Sequence, residues 1–408
     1  MKKIFLSAPG LVCCAGRNRD ELYESCLKGD RGGMVMKELA ETGNKFPIGQ
    51  IKRVLSESSV QEPSVREPVV YGARIIRIID MAFEQIQGEI EKAVAAYGPD
   101  RIGVCLGSCD NGSEASLAAH KTFFASCNAH GAASGAAAGR FPKDYSLRFQ
   151  SASLPAEFIA RESGLKGPVF TVATACASGA SAIVRGAELI RAGLCDAVIA
   201  GGADVVSETV FMGFHALEAL SDSPSIPFSK NRKGINLGEG AAFFLLDCNE
   251  NGGVELLGAG ESGDAYHMTA PGTDGTGPAK AMKAALLDAG MEPSQIGYVN
   301  LHGTGTELND RAEAFAMQAV FGERQPPASS TKPIMGHTLG AAGALEAAVC
   351  WMALTEKKGL PLHCWDGEGD EKLPFLPVVR GGGQPSNCMS NNFAFGGCNV
   401  SLIMGRRS

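Results

Sequence analysis

Short apolar runs rich in β-branched residues alternate along this chain with longer stretches in which apolar residues recur at helical spacing. Short apolar runs rich in β-branched residues indicate strands, and a period near 3.6 indicates helices. The predicted strands are 102–106, 169–172, 197–200, 242–246, 254–259, 296–300, 389–391 and 400–404. The predicted helices are 71–96, 180–192, 278–288, 310–320 and 341–355. This alternation predicts an α/β protein built in layers.

Two pairs of segments are similar to each other, which indicates an internal duplication. Residues 102–108 resemble 296–304. Residues 173–183 resemble 335–345, because each is a turn followed by a helix of small residues. We expect the two halves to meet near residues 247–253.

Three further segments complete the prediction of the fold. Residues 112–150 are rich in Ala, Gly and Ser and are predicted as an irregular cap or interface insertion. Residues 366–377 are acidic and contain proline, which is typical of a surface loop. An opening strand is predicted at 3–7, continuing through a glycine turn into Leu11 and Val12.

The composition limits the kinds of function and partner to expect. The chain has 408 residues, of which 45% are hydrophobic, and a net charge of −7, so nucleic acid is not expected as a partner. The 13 cysteines show no Cys-x-x-Cys pair or zinc-ligand spacing, which favours a reducing cytoplasm and no metal. The start of the chain resembles a lipoprotein signal, but Ser7, Pro9 and Gly10 interrupt it. We therefore expect a cytoplasmic protein with no membrane partner.

Cys176 is the strongest candidate for a nucleophile. It follows the apolar run 169–172 and precedes a helical pattern in which Ile183, Ala187 and Ile190 share one face. The dipole at a helix start is expected to lower the pKa of a thiol there and to favour the thiolate. The alternative is an ordinary buried thiol, which describes most cysteines.

Two histidines, a lysine and an aromatic loop lie in similarly constrained motifs. His302 stands in Asn-Leu-His-Gly-Thr-Gly-Thr at the end of a predicted strand, where open α/β folds build their sites. His337 opens a predicted helix, with Lys332 shortly before it. Residues 390–399 form an aromatic, Gly-rich turn. The alternatives are structural histidines, a surface lysine and core aromatics, and no companion ligands support a metal site.

Together these motifs resemble the β-ketoacyl-acyl-carrier-protein synthases of the thiolase superfamily, the Cys-His-His condensing enzymes of fatty-acid and polyketide synthesis. The resemblance covers nearly the whole chain, through the segments 2–6, 201–204, 238–241, 264–268 and 395–397. It implies an α/β, thiolase-like fold in which duplicated βαβαβαββ halves form a layered α/β/α/β/α sandwich. The halves are expected at 1–247 and 248–408, with an insertion at about 108–150 in the first.

The resemblance also implies a decarboxylative Claisen condensation. Cys176 would take an acyl group from a carrier-protein thioester, and the carbanion from malonyl-carrier protein would attack it. His302 and His337 match the neutral imidazoles that donate to the malonyl thioester oxygen, and Lys332 matches the lysine that orients His302. The backbone N–H groups of Cys176 and Phe395 would form a second oxyanion hole, with the Phe395 ring as a gate.

Further residues receive supporting roles from the same resemblance. Thr304 and Thr306 match residues that bind the phosphopantetheine arm. The residues that match a buried carboxylate network are Asp310, Glu313 and Glu346. No cofactor is expected, since the acyl carrier protein delivers phosphopantetheine. A second subunit is also expected, either an identical copy or a paralogous ketosynthase.

The sequence departs from the family pattern at three places. Cys109 and Asp110 stand where small or apolar residues line the acyl pocket. Because a buried carboxylate disfavours a saturated chain, Asp110 and Phe393 predict a pocket that is short or suited to a polar, aromatic or unsaturated chain. Ala394 replaces the usual glycine between two aromatics, which would stiffen the gate. Prolines at 326–327 predict a short strand before the lysine motif.

Several interpretations stay open. Primary fatty-acid synthesis and a dedicated polyketide or polyene pathway are both compatible, and the departures favour the second. A non-catalytic chain-length-factor-like subunit is the first alternative, although such subunits lack the nucleophile. A thiolase is the second, with Cys398 as a superficial match to its second cysteine. The candidate cations for carrier docking are Arg66, Arg74 and Lys121.

Overall fold

The computed structural model describes residues 2–39, 42–52, 73–110, 112–129, 139–143, 145–250, 253–379 and 381–406. Within these residues the strands are β1 Phe5–Leu6, β2 Gly10–Cys13, β3 Val35–Glu38, β4 Lys45–Ile48, β5 Ile102–Gly107, β6 Val169–Val172, β7 Ala197–Asp204, β8 Gly240–Asp247, β9 Val254–Gly263, β10 Tyr298–Asn300, β11 Ala328–Ser329, β12 Asn387–Phe393 and β13 Cys398–Gly405. The α-helices are α1 Arg19–Lys28, α2 Arg74–Phe83, α3 Gln87–Tyr97, α4 Ser113–Ala129, α5 Leu154–Glu162, α6 Ser178–Arg191, α7 Glu208–Ala216, α8 Thr276–Ala289, α9 Glu307–Phe321, α10 Lys332–Met335 and α11 Ala342–Thr355.

The main sheet has a mirrored strand order. Its hydrogen-bonded path runs β11-β10-β12-β13-β9-β1-β8-β7-β5-β6, so one half repeats the other in reverse. β5 pairs in parallel with β6 and β7, as β10 does with β11 and β12. The halves join where Leu6 of β1 pairs with Val254 of β9. The chain is therefore a duplicated α/β unit, and the expected boundary at residue 247 falls between β8 and β9.

Helices cover the sheet in layers. α6 and α11 pack on each other between the two half-sheets, α6 against β5 and β7 and α11 against β12. α2 and α5 cover the outer face of the first half, while α8 and α9 cover that of the second. The middle layer is inaccessible to solvent along α11, since every residue from Ala342 to Leu354 is buried. The predicted α/β/α/β/α order is confirmed.

The duplication is clearest where a 3₁₀ turn leads into each central helix. The turn Ala175–Ala177 precedes α6, and Leu339–Ala341 precedes α11. Ala175 and Leu339 have positive φ angles of 49° and 53°, a left-handed conformation that is strained for residues other than glycine. Residue 176 therefore corresponds to Gly340. The alignment of residues 173–183 with 335–345 was displaced by two residues, because runs of small residues do not define a register.

The predicted strands are all present, but the predictions of one continuous helix at 71–96 and of an irregular segment at 112–150 were wrong. The helix expected at 71–96 is α2 and α3, separated by the 3₁₀ turn Glu84–Ile86, and residues 71–72 lie outside the described part. The break lets the Gln85 carboxamide donate to the Leu11 carbonyl oxygen at 2.9 Å. The supposedly irregular insertion contains α4, because alanine favours a helix more strongly than the nearby Gly and Ser oppose it. Residues 130–138 of the insertion lie outside the described part.

Two smaller expectations hold. β11 is only two residues long after the prolines at 326–327. Residues 366–377 are irregular, and the Asp370 carboxylate fastens them to the core by accepting from Arg232 Nη1 at 2.8 Å. No helix in the described ranges is long and apolar enough to cross a bilayer.

Candidate active site

A cavity of about 360 Å³ brings together residues from both halves. The predicted site residues that line it are Cys176, His302, Thr304, Thr306, His337, Phe393 and Phe395. They converge because the 3₁₀ turns before α6 and α11 pack on each other. This contact brings the cysteine of the first half to the histidines of the second.

Cys176 is buried and is protonated at neutral pH. Burial raises its pKa to about 11, against the lowering effects of the Lys332 charge and of a hydrogen bond from the Phe395 backbone N–H. The expectation of a lowered thiol pKa is therefore wrong, because the lost hydration of a thiolate outweighs the helix dipole. The Phe395 N–H still provides a donor for charge that forms at this position.

His302 is neutral, with its proton on Nε2. Lys332 Nζ lies 3.3 Å from His302 Nδ1, and since an ammonium can only donate, Nδ1 accepts. Burial, followed by the charges of Lys332 and His337, holds the pKa of His302 well below its usual value. His302 therefore offers an Nε2–H donor to the cavity.

His337 has the same tautomer for a different reason. Its Nδ1 accepts a hydrogen bond from the Leu339 backbone N–H at 3.3 Å. Burial and then the Lys332 charge hold the pKa of His337 well below its usual value. Its ring centroid lies 5.5 Å from that of His302, with the planes at 87°. The cavity thus has two neutral imidazole donors side by side.

Lys332 and Glu346 form an ion pair behind the histidines. The Lys332 side chain is 2% exposed and that of Glu346 is 0% exposed. Burial raises the pKa of Glu346 to about 7, although Lys332 opposes this. Because the desolvation of two buried charges is costly, the pair is better explained by its hold on His302 than by stability.

Two buried carboxylates of α9 hold the loop that follows His302. Glu313 accepts from the backbone N–H of His302 at 2.9 Å and from that of Gly303 at 2.7 Å. Asp310 accepts from the Gly305 N–H at 3.1 Å. Burial raises the pKa of Glu313 to about 7 and that of Asp310 to about 6. Each predicted supporting carboxylate is buried, but each binds different partners.

Thr304 and Thr306 lie on that same loop and line the cavity. Their Oγ1 atoms are 3.0 Å apart. Hydroxyl groups both donate and accept, which suits the amide groups of a pantetheine arm. Their role in binding that arm stays a prediction.

The aromatic loop contributes Phe393 and Phe395. The Phe395 ring stacks on Phe214 of α7, with ring centroids 5.9 Å apart. Gly396 beside it has a φ of 81°, and its N–H donates to the Met268 carbonyl oxygen at 2.8 Å. The Phe393 centroid lies 6.2 Å from that of His302. The sequence analysis missed Phe214, because nothing local in the chain pairs it with Phe395.

Asp110 is not among the described residues that line this cavity. Its carboxylate accepts from the Gly112 N–H at 3.0 Å and from the Ser113 hydroxyl group. It therefore caps the start of α4, which explains how a buried carboxylate is tolerated there. Its predicted place in an acyl pocket is untested. Cys398, the thiolase candidate, also does not belong to the lining.

Two of the three cations considered for carrier docking form ion pairs within the chain. Arg74 forms an ion pair with the buried Glu239, and Lys121 Nζ lies 2.9 Å from Glu208. Arg66 lies outside the described residues. Lys233, which the sequence analysis did not name, lines the cavity and forms an ion pair with Asp222. Across the described ranges, no group of three His, Cys, Asp or Glu side chains is arranged to hold a metal ion.

Comparisons with known proteins agree over the full length. The family models described as "Beta-ketoacyl synthase, N-terminal domain" and "Beta-ketoacyl synthase, C-terminal domain" match residues 81–251 and 254–363. The chain is 34% identical to 3-oxoacyl-[acyl-carrier-protein] synthase 2 of Vibrio cholerae, over 99% of both proteins. It is 30% identical to the protein of that name from Staphylococcus aureus, over 98% of both. A chain of the solved complex between a ketosynthase and its chain length factor, from Xenorhabdus doucetiae, has a TM-score of 0.87 and 36% identity to this chain, covering 100% of this chain and 98% of that one.

Proposed function

This chain belongs to the β-ketoacyl synthase family, and we propose that Cys176, His302 and His337 carry out the family's decarboxylative condensation in this cavity. The chain is an acyltransferase of the 3-oxoacyl-[acyl-carrier-protein] synthase type. One observation supports these roles: a single cavity is lined by a thiol and two neutral imidazoles. The Nδ1 atom of each imidazole already accepts a hydrogen bond, so each Nε2–H is left to donate.

The first half-reaction transfers an acyl group to Cys176. Its sulfur attacks the thioester carbon of an acyl-carrier protein, the carrier's thiol leaves, and the proton of Cys176 goes with it. The backbone N–H groups of Cys176 and Phe395 would stabilise the oxyanion of the tetrahedral intermediate. The hydrogen bond from the Phe395 backbone N–H, which lowers the pKa of Cys176, supports this assignment.

The second half-reaction forms the carbon–carbon bond. Malonyl-carrier protein loses CO₂, and the electron pair of the broken bond moves onto its thioester as an enolate. The Nε2–H groups of His302 and His337 would donate to that enolate oxygen, which is where the negative charge develops. The carbanion then attacks the acyl group on Cys176, and the cysteine leaves as a thiolate. The product is a β-ketoacyl chain two carbons longer.

Acyl carrier protein is the proposed partner in both half-reactions. Its phosphopantetheine arm would lie along Thr304 and Thr306, so no resident cofactor or metal is proposed. A second subunit is proposed as well, either a copy of this chain or a paralogue. The similarity to a ketosynthase in complex with a chain length factor supports the paralogue.

A dedicated polyketide or polyene pathway is the favoured setting, because Cys109 and Asp110 depart from the elongating fatty-acid pattern. A non-catalytic partner subunit is disfavoured, since Cys176 and both histidines line the cavity. A thiolase is disfavoured because Cys398 does not line it within the described residues.

Intact-mass analysis tests the proposed function. The protein and its Cys176→Ala variant are each mixed with carrier proteins that bear octanoyl, palmitoyl or aryl-polyenoyl chains. A mass gain equal to the acyl group in the wild type alone would establish Cys176 as the nucleophile, and the preferred chain would indicate the pathway. No gain from any carrier would contradict catalysis by this chain alone.

A further inference from the structure

Asp204, at the end of β7, is a fully buried carboxylate that the reaction above does not use. It accepts from Ser108 Oγ at 3.0 Å and from the backbone N–H groups of Cys109 and Asp110 at 3.0 and 2.9 Å. The Gly340 N–H donates to it as well. Within the described residues no lysine or arginine forms an ion pair with it, and burial raises its pKa to about 7 although these hydrogen bonds oppose the rise. Such a costly group is better explained by what it holds than by stability.

The donors to Asp204 come from loops of different halves. Residues 108–110 follow β5 in the first half, whereas Gly340 belongs to the 3₁₀ turn before α11 in the second. A Cβ atom at residue 340 would lie 2.6 Å from Asp204 Oδ2 and 2.8 Å from the Cys109 nitrogen. Only glycine therefore permits this approach. Asp204 therefore joins the two halves at the turn that precedes α11.

The contact with Gly340 leads to His337. The Leu339 N–H donates to His337 Nδ1 at 3.3 Å, and the Gly340 N–H is the next donor along the chain. These two N–H groups flank the Cα of Leu339, whose φ of 53° is strained. A strained conformation persists only where its surroundings hold it. Asp204 binds the Gly340 N–H, which follows the Cα of Leu339. The Leu339 N–H, which precedes that Cα, determines the tautomer of His337.

We propose that Asp204 is a positioning residue for decarboxylation: by binding the Gly340 N–H, it keeps the Leu339 N–H on His337 Nδ1 and the His337 proton on Nε2. The inference rests on the proposed function, because it requires His337 to donate to an enolate. Asp204 also acts on the nucleophile. Burial is the main cause of the raised pKa of Cys176, and the negative charge of Asp204 adds to it.

These two effects predict opposite changes in an Asp204→Asn variant. It loses the charge and an acceptor oxygen, so we expect CO₂ release from malonyl-carrier protein to fall about 10- to 100-fold. Because the nearby negative charge is gone, alkylation of Cys176 by iodoacetamide at about pH 8 should rise about 3- to 10-fold. Peptide mass spectrometry follows Cys176 separately from the other cysteines. A purely structural role would not move these rates in opposite directions.

Two further variants separate the contact from the charge. Asp100→Asn removes an exposed negative charge and no contact with Gly340, so both rates should equal those of the wild type. Gly340→Ala forces Asp204 and Gly340 apart but keeps the charge. Decarboxylation should then fall as in Asp204→Asn, while alkylation of Cys176 does not rise.

The inference is overturned if Asp204→Asn decarboxylates as fast as the wild type, or if its two rates fall together. Should Asp204→Asn not fold, Gly340→Ala decides: unchanged decarboxylation overturns the inference, and a selective loss supports it. Failure of the proposed function has a different signature, since the wild type itself would release no CO₂ and acquire no acyl group on Cys176.

Discussion

The ammonium of Lys332 lies 3.3 Å from Nδ1 of His302 and also binds the buried carboxylate of Glu346. A buried lysine thus connects a carboxylate of the central helix to a histidine at the end of β10. Burial, and then the Lys332 charge, lower the pKa of His302, and the position of the ammonium determines which ring nitrogen carries the proton. The activity of His302 should therefore depend on a residue that does not line the cavity.

Lys332→Met should lower CO₂ release from malonyl-carrier protein by about 100-fold, because His302 loses the contact that fixes its tautomer. Removing one partner of a buried pair should also lower the free energy of unfolding by about 3–5 kcal/mol. A Lys332→Met/Glu346→Gln double variant should recover much of that stability in urea unfolding without recovering activity. The exposed Lys92→Met serves as the control. Wild-type activity in the double variant would contradict the role of Lys332.

The raised pKa of Cys176 predicts how its reactivity depends on pH. The thiolate is the reactive form, so below a pKa of about 11 the alkylation rate should rise about tenfold per pH unit. Iodoacetamide labelling between about pH 7 and 10, read at Cys176 by peptide mass spectrometry, measures this slope. The exposed Cys248 in the same sample is the internal reference. A plateau for Cys176 within that range would contradict the effect of burial.

Glu313→Ala should destabilise the protein, because it leaves the buried N–H groups of His302 and Gly303 without an acceptor. At about 1–3 kcal/mol for each unsatisfied donor, the free energy of unfolding should fall by about 2–6 kcal/mol. Glu313→Gln keeps one acceptor oxygen and should lose less. The exposed Glu323→Ala should be neutral in the same chemical denaturation. Equal stability of Glu313→Ala and Glu323→Ala would refute this account of the loop.

Phe214→Ala should loosen the coupling between the two half-reactions, since it removes the ring on which Phe395 rests. The stacked pair contributes about 0.5–1.5 kcal/mol beyond its buried area, enough to shift the position of a gate. We expect more CO₂ released per molecule of condensed product than in the wild type. Phe375→Ala, which removes a ring that is 78% exposed, is the matched control. An unchanged ratio in Phe214→Ala would argue against Phe395 as a gate.

Much of the fold followed from local patterns. Short runs of β-branched apolar residues located the strands of both halves, and the turns of small residues marked the starts of α6 and α11, because these signals lie among neighbours in the chain. The same patterns brought Cys176, His302, Lys332 and His337 forward as candidates. The local patterns failed where a contact with a distant residue changed the structure. One such contact is the hydrogen bond from Gln85 to Leu11, at the break in the helix predicted at 71–96.

The sequence by itself determined the architecture, the duplicated halves and the identity of the chemical groups in the cavity. The tertiary structure alone decided the protonation and the tautomers of these groups. Burial, and not the helix start, determines the pKa of Cys176. The tautomer of His302 depends on a lysine 30 residues away, and Asp204 binds Gly340 across 136 residues. Desolvation and hydrogen bonds between distant segments depend on which residues the fold brings together, and no local pattern encodes that.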